Sequence, residues 1–177
     1  MSIYRKLNDI GIKYFGQAKL FKFGFNFSPM YRRSTAKIVT ITEDLKFIKI
    51  KLPISWKNRN YMNTIFGGSM FSATDPIYMI QLTMILGKEF VVWDKSSEIF
   101  FKRPGKVDLY AEFIFTDEEI NTIKERIKTE NEIVLEKKVI LTDHAKSATY
   151  CEVIKRIYIA NKSFYKEKQK LRNASVK

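Results

Sequence analysis

The 177-residue chain reads as a single α+β domain, one long buried helix among the strands of a large antiparallel sheet. Three observations predict this class. Ser69 to Leu86 is an 18-residue, mostly apolar stretch with one charged side chain. The segments on both sides alternate apolar and polar residues and are punctuated by turn residues. Apolar residues make up 45% of the chain, with Phe 14, Tyr 9 and Trp 2, enough to fill a core and to exclude a disordered polypeptide.

Each element follows from its own pattern. Ile3, Leu7, Ile10, Tyr14, Ala18 and Phe21 recur at steps of three and four, the period of an amphipathic helix, until Gly24 and Pro29 interrupt it. Ile38 to Leu52 reads as a hairpin turning at Glu43-Asp44, with Ile48, Ile50 and Leu52 alternating against Lys49 and Lys51. A polar, Asn-rich loop spans Ser55 to Thr64. The helix from Ser69 to Leu86 ends at Gly87, a residue suited to a helix C-terminus. It carries Pro76 and several polar residues, so it reads as a buried helix and not as a membrane span.

After Gly87 the chain turns to strand. Phe90 to Lys102 runs into the turn signature Arg103-Pro104-Gly105-Lys106, and Val107 to Phe115 forms the next strand. Thr116 with Glu119 is a capping box, and Ile120, Ile123 and Ile127 form the apolar stripe of the helix it opens. Ile133 to Leu141 and Thr149 to Ile159 pair around Asp143-His144. These limits divide the chain into an N-terminal amphipathic helix with its connector (1–35), a central domain (36–160) and a basic, flexible tail (161–177).

Composition narrows the chemistry. A single cysteine, Cys151, excludes an intrachain disulfide and a Cys-based zinc site, and fits a reducing, cytoplasmic compartment. A single histidine, His144, excludes a multi-His metal centre, so no metal is expected; no bound cofactor is expected either. No signal-peptide pattern is seen in Met1 to Phe15. His144 in its turn reads as a solvated residue, and Cys151 in its strand as core. The formal charge of +13 is unevenly spread. Residues 1–37 hold eight Lys/Arg and one acid, residues 161–177 six and one, and residues 38–160 eighteen and seventeen. No nucleic-acid-binding motif accompanies the surplus, so nucleic acid is not an expected partner. A basic amphipathic N-terminal helix suits weak contact with an anionic membrane surface, or a cover over the functional site.

Candidate catalytic residues cluster at the buried helix. Asp75 is its one charged side chain, and a carboxylate withdrawn from water becomes a better proton acceptor. Pro76 removes an N–H, disfavours helical geometry at Asp75 and crowds the Ser72 carbonyl, so a kink is expected there. An Asp that caps the kink through local amides fits the same pattern. Gly67-Gly68 opens the helix, where free N–H groups can stabilise an oxyanion, although a Gly-Gly pair also serves close packing.

Asn60, Phe66-Gly67-Gly68 and Asp75, followed by Val92-Trp93-Asp94-Lys95 and Phe101-Lys102-Arg103-Pro104-Gly105, resemble the hotdog-fold thioesterases over about residues 36 to 160. Among these the chain most resembles the tetrameric acyl-CoA thioesterase branch near the phenylacetate-pathway type. The resemblance implies a long helix wrapped by an antiparallel sheet, a homodimer or homotetramer, and sites at subunit interfaces. It implies that Asp75 activates water or attacks the thioester carbonyl, that Gly67 and Gly68 polarise that carbonyl, and that Asn60 helps place the water. Asp94 falls near a position where relatives often carry Ser or Thr. Arg103 and Lys106 lie where relatives meet the phosphates of coenzyme A, the substrate carrier. Relatives typically have His-Gly-Gly, and Phe66 departs from that. The helix residues Phe71, Ile77, Met79, Ile80 and Met84 suit an acyl channel or plain core packing. A hydratase would need a His near its acid; the single His144, beside Asp143 in a turn, reads as a solvated residue, so that chemistry is not expected. A non-catalytic acyl or acyl-CoA binding protein of the same fold is the alternative that Phe66 raises, and a basic surface-binding module is a third.

Overall fold

The computed structural model describes residues 16–174. Most of the amphipathic helix expected at residues 3–21 lies outside them. Within them, helix α1 (Gln17–Phe27) buries Ala18, Phe21 and Phe25, and a short α2 (Pro29–Arg32) buries Tyr31. The Tyr31 hydroxyl donates to the Ala73 carbonyl at 3.0 Å, tying this N-terminal layer to the central helix.

Six strands form one antiparallel sheet: β1 (Lys37–Ile41), β2 (Phe47–Leu52), β3 (Phe90–Phe101), β4 (Leu109–Ile114), β5 (Glu132–Thr142) and β6 (Thr149–Asn161). Their spatial order is β1-β2-β4-β5-β6-β3, which leaves β1 and β3 at the edges. The expected hairpins are both present: Ile38 faces Ile50 in the first, and Val139 faces Val153 in the second. Period-two alternation decides the faces. Ile48, Ile50 and Leu52 of β2, and Cys151, Val153, Ile157 and Ile159 of β6, are fully or almost fully buried. A single bulge interrupts the β3–β6 ladder between Asp94 and Ser96 and exchanges which residues of β3 face inward.

The central helix begins at Gly67 and is broken in two, α3 (Gly67–Thr74) and α4 (Ile77–Leu86). Pro76 has no N–H to offer the Ser72 carbonyl, and Thr74 Oγ1 bonds back to the Phe71 carbonyl at 2.9 Å. Asp75 nevertheless keeps helical dihedrals (φ −53°, ψ −53°), and the Ile80 N–H reaches Pro76 O at 3.2 Å, so helical winding continues across the break. Buried Ala73, Ile77, Tyr78 and Leu82 join the inward strand residues in one core cluster. Gln81 crosses that core, its Nε2 donating to the Leu45 carbonyl at 2.6 Å. No helix among the described residues is long and apolar enough to cross a membrane.

Helix α5 (Asp117–Glu130) has the expected capping box of Thr116 and Glu119, and buries Ile120, Ile123 and Ile127. The C-terminal segment corrects the sequence expectation. Lys162–Ala174, read as a flexible tail, forms helix α6. It buries no residue, which is why hydrophobic periodicity did not mark it. It is tied to the sheet by Lys168, whose Nζ donates to Glu132 at 2.7 Å, and by Tyr165 against the Tyr158 ring.

Candidate active site

The start of α3 is built by Phe66, Gly67 and Gly68. Phe66 is extended (φ −62°, ψ 132°) and its carbonyl accepts from the Ser69 and Met70 N–H groups. The N–H groups of Gly67 and Gly68 have no acceptor among the described residues. Both glycines allow an aromatic ring to close on the helix start. A Cβ on Gly67 would lie 2.7 Å from the Phe101 ring, and one on Gly68 would lie 2.3 Å from the Phe66 ring. The two half-exposed rings therefore rest on the helix start.

Beside this helix start is a cleft of about 440 Å³, lined by Asn60, Thr64, Gly67, Met70, Phe101 and the turn Lys102 to Gly105. The turn nests against the helix because Gly105 lacks a side chain, and its carbonyl accepts from Ile65 N–H at 2.8 Å. Arg103 stands over the Tyr150 ring. Of the cations expected here, Arg103 lines the cleft, and Lys102 joins it. Lys106 is exposed and outside its lining. Asn60 organises its own loop: its Oδ1 accepts from the Met62 and Thr64 N–H groups, and its Nδ2 donates to Thr64 Oγ1. One amide hydrogen of Asn60 is left for a ligand.

Two helical turns along, the surroundings of Asp75 differ from the sequence reading. It is neither an isolated, water-excluded carboxylate nor a cap on local amides. Its side chain is 44% exposed, and Lys155 Nζ donates to its Oδ1 at 2.6 Å. Lys155 is 0% exposed, and also pairs with Asp94 Oδ2 at 3.1 Å. Sequence reasoning named both acids and missed the lysine between them. The signal was available: Cys151, Val153, Lys155, Ile157 and Ile159 occupy one alternating face of β6, and Lys155 interrupts an otherwise apolar row.

Asp94 faces inward just before the bulge in β3. Its side chain is 24% exposed, and its Oδ1 is buried without a hydrogen-bond partner. Burial raises its carboxyl above the usual carboxylate range against the pull of Lys155, and the nearby Asp75 charge pushes the same way as burial. The Phe71 ring, one turn before Asp75, lies against the Lys155 ammonium. Phe71, Met79, Ile80 and Met84 are partly buried along this helix, while Ile77 is wholly core.

The two remaining candidates behave as read. Cys151 is fully buried, and burial pushes its thiol up to about 12, far from a working nucleophile. His144 sits exposed in the β5–β6 turn, edge-on to Tyr110, in a cleft shared with Lys49 and Glu112 and with none of the residues above.

The family described as a domain of unknown function (DUF4442) matches residues 17–157. No curated protein matches. Among solved structures, a protein of unknown function from Pseudomonas aeruginosa, described as a probable thioesterase, superposes with a TM-score of 0.71 at 16% identity, covering 81% of this chain and 95% of that one. A protein of unknown function from Chlorobaculum tepidum superposes with a TM-score of 0.65 at 14% identity, covering 81% and 93%. A thioesterase from Haemophilus influenzae gives 0.51 at 12% identity, covering 91% and 92%. At these identities the likeness is one of fold, an α+β architecture with a six-stranded antiparallel sheet shared with these structures.

Proposed function

The chain belongs to the family described as a domain of unknown function, DUF4442, and from its candidate site we propose that it is an acyl-CoA thioesterase. In this reading Asp75 takes a proton from water, the water oxygen bonds to the thioester carbonyl carbon, and the carbon–sulfur bond breaks. The released thiolate of coenzyme A takes up the proton. The observation that carries the proposal is the Asp75–Lys155 contact: a partly exposed carboxylate whose position is set by a fully buried ammonium. The unpaired N–H groups of Gly67 and Gly68 would polarise the carbonyl, and Asn60 has one amide hydrogen for the water or the substrate. Lys102 and Arg103 suit the phosphates of coenzyme A, with Lys106 exposed next to them.

Spacing supports a site shared between subunits. Asp75 lies eight positions beyond Gly67, roughly 12 Å of helical rise. A carboxylate and an oxyanion donor acting on one carbonyl sit roughly 6–8 Å apart, even with one water between them. The amides of one protomer and the carboxylate of another would close that gap. The 12-residue edge strand β3, with Trp93, Phe100 and Phe101 exposed, is a suitable seam. A homodimer or homotetramer, kinship with the phenylacetate-pathway-type tetramers, domain limits at 36–160 and a reducing, cytoplasmic setting for the lone Cys151 belong to the same proposal.

The test is release of free coenzyme A by the full chain from acyl-CoAs of graded length. We expect Asp75→Asn to lower turnover by about a hundredfold or more without changing the fold. Undiminished turnover in that variant overturns the mechanism. One observation favours a second reading, a non-catalytic acyl-CoA binding protein: Phe66, in place of the His of typical relatives, covers Gly68. Tight binding of the whole panel without release of coenzyme A would establish that reading instead.

A further inference from the structure

A second surface, outside the catalytic proposal and independent of it, combines exposed apolar side chains with uncompensated positive charge. Phe23, Phe27, Met30 and Trp56 are all more than half exposed, Trp56 at 83%. Phe23 and Phe27 stack at 4.3 Å on the outer side of α1, Met30 follows on α2, and Phe27 and Trp56 line a common cleft of about 600 Å³. That cleft also contains Arg32, Lys37 and Lys57, and the Lys57 ammonium lies over the Trp56 ring.

The two segments that build this face, residues 16–37 and 53–62, contain seven Lys/Arg and no acid. None of Arg32, Lys37 and Lys57 forms an ion pair among the described residues. The contrast with the sheet is large, because the cations of β2, β5 and β6 nearly all meet a carboxylate. Aromatic rings beside unpaired cations suit the boundary between lipid headgroups and acyl chains. There the rings enter the apolar layer and the cations meet lipid phosphates. A protein partner for an exposed apolar face would more often be matched by shape, with charges of both signs at its rim.

We propose that this face, formed by α1, α2 and the 53–62 loop, docks the protein on an anionic phospholipid bilayer, with Phe23, Phe27, Met30 and Trp56 inserting at the headgroup level. The same loop continues through Asn58, which bonds Thr35 Oγ1 at 2.7 Å, to Asn60 and the cleft beside Gly67. Docking would therefore place the opening of that cleft close to the bilayer.

The experiment uses the full chain carrying Trp93→Phe, which leaves Trp56 as the one reporter. It is mixed with phosphatidylcholine vesicles with and without roughly 30% phosphatidylglycerol. We expect a blue shift of Trp56 emission and co-sedimentation only with the anionic vesicles, both reversed at about 0.5 M salt. Phe27→Ser with Arg32→Glu, made in the chain that keeps Trp93, should weaken co-sedimentation with the anionic vesicles about tenfold or more, while far-UV circular dichroism and coenzyme A release from a soluble acyl-CoA stay unchanged. Three results would overturn the proposal: no binding to anionic vesicles, equal binding by that double variant, or Trp56 already shielded from a soluble quencher without lipid. The last would mean that a second copy or residues 1–15 cover the face.

Discussion

Lys155 is the residue on which the candidate site turns. A buried ammonium is tolerated only when its charge is met, and Asp75 and Asp94 meet it from two sides. Lys155→Met should cost about 2–3 kcal/mol of stability in chemical denaturation. That is below the usual cost of breaking a buried pair, because Asp75 is partly solvated. The same variant should lower kcat more than it raises KM, since Asp75 would lose its anchor while the substrate cleft stays intact. Asp94 supplies a pH signature. Its folded-state pKa is raised, so the folded state binds more protons than the unfolded state across that window. Stability should therefore fall as pH rises from the ordinary carboxylate value through the raised one. Asp94→Asn should show a flatter profile over that range, measured by denaturation at a series of pH values; an unchanged slope would assign the effect elsewhere.

At the scale of elements, the legible parts were those with a local cause. The capping box of Thr116 and Glu119 announced α5, and Thr116→Ala should cost about 1 kcal/mol with no effect on turnover, checked by denaturation and assay side by side. Gly87, with φ 82°, ends α4 where the sequence placed the stop. The hydrogen bond missing at Pro76 was legible because the missing N–H is covalent, whereas the non-helical geometry expected at Asp75 is not adopted. Helix α6 was not legible, since its amphipathic pattern is made of basic and aromatic residues, Lys168 and Tyr165 among those that reach the sheet. The bulge between Asp94 and Ser96 was also hidden. A one-residue offset leaves no mark in the sequence, yet it reverses the alternation after Asp94, which itself faces inward in step with Val92.

For the whole molecule, charge and symmetry are the relevant quantities. The +13 surplus is concentrated outside residues 38–160, where acids and bases nearly balance and mostly pair across the sheet. The long edge strand β3 and the two-turn separation of Gly67 from Asp75 lead to one expectation. In sedimentation equilibrium the protein should have the mass of at least two copies of the 177-residue chain, and dilution to monomer should abolish turnover. A fully active monomer would remove the shared site.

The sequence by itself determined the α+β class, both hairpins, the central helix with its break, the burial of Cys151 and the solvated place of His144. Each of these follows from periodicity, a covalent constraint or a turn preference that acts over a few residues. The tertiary structure alone decided the partnership of Asp75, Lys155 and Asp94, which lie on α3's end, β6 and β3. It also decided that the rings of Phe66 and Phe101 cover the two glycines, and that Trp56 lies beside Phe27. These contacts join residues far apart in the chain. Only the pairing of strands and the packing of α1 against the sheet bring them within reach.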